Sequence, residues 1–132
     1  MFRKLAALSI LALATAAPAS AQVLTRLPDW ETGGHAYMAT DSQDRNHHIS
    51  IQRKDRDGDF LLEVSLYASG SQIGAAPIRE EFYWVSCARD EISPAVEGSS
   101  WHAVNHNHME GHYYDAACRP SVARSLAEQY GL

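Results

Sequence analysis

The chain of 132 residues contains two cysteines, Cys87 and Cys118, so a disulfide has one connectivity open to it and would tie two points 31 residues apart. Whether it forms depends on compartment, and the N-terminus speaks to that. Arg3 and Lys4 precede an apolar run of 13 residues from Leu5 to Ala17, then Pro18 and the small-residue site Ala19-Ser20-Ala21. This is the layout of a secretory signal, with cleavage expected after Ala21. The apolar run is shorter than the roughly 20 residues a membrane-spanning helix needs, and no comparable run follows. No cysteine stands at the cleavage site to carry a lipid. Residues 1–21 are therefore expected to be a removed signal peptide, and 22–132 a single exported domain, periplasmic or secreted. In that setting an even cysteine pair oxidises. Closing such a loop is worth about 3 to 4 kcal/mol on the chain-entropy model.

Loss of Arg3 and Lys4 with the signal takes the 11 basic residues to 9 against 16 acidic ones, moving the formal charge from −5 to −7. Lys54 is then the only lysine. Binding to phosphate backbones requires clustered cations, so nucleic acid is excluded as a natural partner. Hydrophobic residues make up 45% of the chain, which is a folding composition.

Alternation marks the strands. Residues 22–34, with Pro28, Trp30 and Gly33-Gly34, form an extended lead-in to a first strand near His35–Ala39. Ile49 and Ile51 alternate with polar neighbours, Asp55-Arg56-Asp57-Gly58-Asp59 supplies a turn, and Phe60, Leu62, Val64 and Leu66 share the next inward face. This predicts a β-hairpin with a charged tip. The stretch 73–78 is ambiguous, and Glu81–Cys87, rich in aromatic and β-branched residues, reads as a well-buried strand. Residues 90–100 are polar and read as a connection to a last strand at Trp101–Val104. Tyr113–Cys118 suits a turn or two of helix. Beyond Pro120, Val122, Leu126 and Tyr130 recur at i, i+4, i+8 and predict an amphipathic C-terminal helix. The expected fold is α+β, an antiparallel sheet with a C-terminal helix packed on one face and one disulfide.

The most chemical segment is His102-Ala-Val-Asn-His106-Asn-His108-Met-Glu110-Gly-His112, with four of the seven histidines in eleven residues. An extended 101–108 would direct His102, His106 and His108 to one side, His106 and His108 about 7 Å apart. A turn at Gly111 could then add His112, with Glu110 as a general base. Imidazoles so placed would suit zinc or copper. The competing expectation is a set of polar residues on an exposed strand end and loop, with no cofactor. His106-Asn107-His108 matches HNH nucleases in letters only. Asp55–Asp59 resembles a calcium loop, but that register puts Arg53 and Val64 at ligand positions. No Gly-x-Ser-x-Gly elbow is present, and a disulfide removes both thiols as nucleophiles. Glu80-Glu81 and Asp90-Glu91 are sequence neighbours, which a strand points to opposite faces. The Trp and Tyr residues suit a core, or the recognition surface of a partner protein.

Arg79-Glu-Glu-Phe-Tyr-Trp-Val-Ser-Cys87, Trp101 after a polar loop, and Tyr113-Tyr-Asp-Ala-Ala-Cys118 together resemble the small bacterial surface-adhesin protein E family over about 45 residues. The resemblance implies an antiparallel sheet, a C-terminal helix and a disulfide joining strand to helix, with only Cys87 and Cys118 transferable as family positions. The function expected from the sequence is an exported, non-enzymatic module that binds a macromolecular partner. The other candidate is a periplasmic metal-binding protein using His102, His106, His108 and His112.

Overall fold

A computed structural model describes residues 23–27, 36–71 and 75–125. Residues 1–22, which hold the expected signal, and residues 28–35, 72–74 and 126–132 lie outside the described residues. Strands β1 (Thr25–Arg26), β2 (Ala36–Thr40), β3 (Asn46–Lys54), β4 (Phe60–Tyr67), β5 (Arg79–Ser86), β6 (Glu91–Pro94), β7 (His102–Ala103) and β8 (Arg124–Ser125) form one sheet. Its order is β7-β6-β5-β4-β3-β2-β1-β8. Neighbours are antiparallel except β1 with β8, which is parallel. Helix α1 (Met109–Cys118) packs on one face, giving an α+β fold.

The hairpin forms where the alternation puts it. Ile49 pairs with Val64 and Ile51 with Leu62, which directs Ile49, Leu62, Val64 and Leu66 to the helix-covered face, where all four are buried. At its tip the Asp55 carboxylate accepts the Asp57 and Asp59 amides at 2.9 Å, and Gly58 takes φ +88°, a left-handed conformation that glycine adopts without strain. Asp55 thus serves its own backbone, in keeping with a turn.

Three expectations need correction. Residues 90–100 are not all connection, because Glu91–Pro94 forms β6 with Ile92 fully buried opposite Val85. β5 is not a well-buried strand throughout: Val85 and Ser86 at its end are buried, whereas Phe82 is exposed. The third concerns the chain beyond Cys118. Pro120–Val122 makes a single 3₁₀ turn, Ala123 is extended, and Arg124 donates its amide to Leu24 at 2.9 Å as β8 joins β1. Val122 is exposed, so it does not begin an inward helical stripe. The remainder of the helix expected there, through Leu126 and Tyr130, lies outside the described residues.

The described helix is instead α1. Its inward residues Gly111, His112, Tyr113, Ala116 and Ala117 are buried. Mostly small inward side chains let the helix approach the sheet closely. The disulfide between Cys87, just past β5, and Cys118, the last residue of α1, closes with Cα atoms 5.5 Å apart. At the other end of the helix, a Cβ at Gly111 would come within 2.8 Å of the His106 carbonyl oxygen and 2.9 Å of its Cα. Only glycine lets the 105–108 turn fold back onto the helix.

Two substitutions test these ties by urea denaturation. Replacing Cys87 and Cys118 together by alanine should cost about 3 to 4 kcal/mol. Gly111→Ala should cost about 1 to 3 kcal/mol through overpacking against backbone, and an unchanged midpoint would contradict that contact.

Candidate functional site

The histidine-rich segment does not continue as a strand past Ala103. Val104 donates its amide to Asp90 at 3.1 Å, and a turn closed by the His108 amide on the Asn105 carbonyl leads straight into α1. Consequently the imidazoles separate. His102 Nε2 lies 2.9 Å from a Glu110 carboxylate oxygen, and the other Glu110 oxygen accepts the Asn105 amide. His106 Nε2 lies 2.7 Å from Asp90 Oδ1, with its ring edge-on to Tyr114. His112 is buried on the inward side of the helix, and His108 is the N-cap residue. Among the described residues, no three of His, Cys, Asp and Glu are grouped so as to hold one metal ion. Asp90 holds its place in the left-handed region at φ +56°, where its carbonyl and carboxylate each meet the histidine segment.

What the turn builds is an open groove of about 480 Å³ lined by Tyr83, Asn105, His108, Met109, Glu110 and Tyr113. Its floor is aromatic, the Tyr83 and Tyr113 rings lying 5.3 Å apart, and its edge is acidic. Tyr83 donates its hydroxyl to Glu81 at 3.1 Å, and Arg79 Nε lies 3.4 Å from the same carboxylate oxygen. Burial, reinforced by Glu81, pushes the Tyr83 phenol up to about 12, so it stays a hydrogen-bond donor at physiological pH. Tyr83 also walls a second hollow of about 220 Å³ with Glu80, Glu81, Phe82, Pro94, Ala95 and Val96.

Beneath the groove runs a buried polar chain that the sequence patterns did not single out. Tyr113 Oη lies 2.7 Å from His47 Nδ1, and His47 Nε2 lies 2.9 Å from Asp41 Oδ2. All three residues are buried. Asp41 Oδ1 accepts the Gln43 and Arg45 amides, and Arg45 Nε donates to Oδ2 at 2.9 Å. Burial works against the Asp41 charge, yet the hydrogen bonds from His47, Arg45 and Gln43 outweigh it and hold the carboxyl at about 2, below its usual 3.8. An ionised carboxylate only accepts, so His47 carries its proton on Nε2. In the neutral ring, Nδ1 then accepts the Tyr113 hydroxyl. Burial also pushes the Tyr113 phenol well above the ordinary tyrosine range, which keeps that donor in place. The chain is an anchor: every polar group in it has a partner, and it pins α1 to β3. The signal for it was present in the strand pattern, since His47 shares the inward face of Ile49 and Ile51.

The remaining aromatics divide between core and surface. Tyr37 is buried, Trp84 lies under the Arg53 guanidinium at 5.5 Å, and Trp101 stacks with Arg89 at 4.6 Å; Trp30 lies outside the described residues. No helix among the described residues is long and apolar enough to cross a membrane. No protein-family model matches the chain, and no curated protein or solved structure is significantly similar to it. The adhesin-family resemblance therefore rests on the residues quoted for it alone.

Asp41 makes a pH prediction with a definite sign. A carboxyl whose folded pKa lies below its unfolded one contributes stability in full above about pH 4, and that contribution is lost as pH falls towards 2. The shift amounts to about 2 kcal/mol. Asp41→Asn should lower stability at pH 7 by about that amount and flatten the acid limb between pH 4 and 2, measured by urea midpoints across pH. Tyr113→Phe, which leaves His47 Nδ1 buried and unpaired, should cost about 1 to 3 kcal/mol without changing that limb.

Proposed function

We propose that this chain is an exported, non-enzymatic binding module for a macromolecular partner, a protein, acting in the periplasm or outside the cell. One observation carries the proposal. Ile78, Phe82 and Val96 are exposed by 58%, 41% and 66%, and Phe82 and Val96 line the hollow beside β5 that shares Tyr83 with the acidic groove. Large apolar side chains left in water around a concavity, with charge at the rim, are the usual composition of a recognition surface. The signal-like N-terminus and the disulfide support export, because the bond persists in an oxidising compartment.

The test is proximity in living cells of the native source. A photoreactive p-benzoylphenylalanine in place of Phe82 should give a discrete cross-linked product, and the same group in place of Arg56 at the hairpin tip should not. Identical patterns from both positions, or none, would sink the proposal. A metal-binding role for His102, His106, His108 and His112 makes a different forecast. It requires stoichiometric zinc or copper binding by the mature chain, lost in the double substitution His106→Ala with His108→Ala.

A further inference from the structure

β5 is paired unequally on its two sides. Against β4 its partners run from Arg79 through Val85, but against β6 they run only from Tyr83 through Ser86. Past that point Ala95 donates its amide to the Phe82 carbonyl at 2.8 Å, and the chain leaves the edge. Backbone groups of a strand point alternately to its two sides. Since the Phe82 carbonyl points towards β6, the Phe82 N–H and both the N–H and carbonyl of Glu80 point the same way. These three groups find no partner among the described residues. Among the described residues the edge is therefore open for the length of Arg79–Phe82.

The side chains flanking this opening differ on the two faces. Phe82 stands on the outer face, and the hollow with Pro94, Ala95 and Val96 lies beside it. On the helix side stand Glu81 and Tyr83, and beyond them the groove that Glu110 and Tyr113 also line. We propose that this edge binds an extended polypeptide segment by strand addition. The segment places an apolar side chain against Phe82 and Val96, and a Lys or Arg over Tyr83 between Glu81 and Glu110. Strand addition takes its affinity from the ladder and its selectivity from alternate side chains, and a cation gains from both the carboxylates and the aromatic face. The formal charge of the chain, −5 before and −7 after loss of Arg3 and Lys4, adds long-range attraction for a basic segment. Charge also disfavours a second copy of this chain. Antiparallel pairing of two such edges sets Glu81 opposite Glu81 or Glu80 opposite Glu80, and like charges directly opposed destabilise a ladder.

The proposal deepens the binding-module reading and rests on it. Its test is an NMR titration of the mature, oxidised chain with two capped octapeptides, alternating Lys-Val and alternating Arg-Leu. At least one should shift and protect the Glu80 and Phe82 amides, leave the Arg56 and Gly58 amides unmoved, and bind at least tenfold tighter than its counterpart with Glu in the basic positions. Glu80→Pro removes an edge donor without touching the β4–β5 ladder, so it should weaken binding at least tenfold more than Glu80→Gln, which removes only the charge. Equal losses in the two variants would overturn strand addition in favour of plain charge attraction. So would undiminished binding of a peptide N-methylated along its edge-facing amides, or no binding by either octapeptide. Self-association abolished by Glu80→Pro would assign the edge to a second copy and overturn the proposal as well. Cross-linking at Phe82 that survives any of these failures would leave the binding module standing without this mode of recognition.

Discussion

The hydrogen bond between Tyr113 of α1 and His47 of β3 is the contact on which the rest of the arrangement depends. A ten-residue helix is too short to be stable in water by itself, and this one buries chiefly alanine and glycine on its inward side. Its position must come from ties to the sheet. At its C-terminal end the tie is covalent, through Cys87 and Cys118. In its middle the tie is Tyr113 to His47, and His47 is in turn oriented by the Asp41 carboxylate, which the Gln43 and Arg45 amides hold ionised. Removing Asp41 or Tyr113 leaves a buried His47 ring nitrogen without that partner, and removing His47 leaves the Tyr113 hydroxyl without its partner, which is why this chain specifies a single helix position.

That position creates the groove. Because Tyr113 is fixed, its ring can meet Tyr83 on β5, and because Gly111 admits the His106 backbone, the 105–108 turn folds so that His108 and Glu110 close the groove on its far side. The acidic rim and the paired tyrosines are thereby gathered on the helix side of β5, while Phe82 stands exposed on the other face of the same strand. The histidine segment takes a structural share in this. His102 with Glu110, and His106 with Asp90, stitch the turn to the helix and to the loop after β5.

Periodicity made the hairpin and the cysteine pair legible, because both rest on local rules: alternation around Asp57-Gly58, and a single connectivity. It failed where pairing partners were distant. β6 carries only four residues and one fully buried apolar side chain, Ile92, so nothing in Glu91–Pro94 alternates long enough to stand out. β8 forms because Leu24, some hundred positions away, offers its carbonyl to Arg124. The histidines of 102–112 drew attention as a cluster, yet spacing along an assumed strand meant little once the chain turned at Asn105. Conversely Asp41 and His47 looked ordinary in sequence and became the anchor. A histidine on the inward side of an alternating strand is a buried polar group that needs a partner, and the partner came from 66 residues further along.

The most direct measurement is the protonation pattern of His47 in the oxidised chain, read by NMR of ¹⁵N-histidine-labelled protein at neutral pH. Anchoring of α1 through Asp41–His47–Tyr113 requires a single tautomer with the proton on Nε2, and a Tyr113 hydroxyl proton that exchanges slowly and couples to Nδ1. A His47 ring that averages between tautomers, with no such hydroxyl proton, would contradict it and leave the position of the helix to the disulfide and its other contacts.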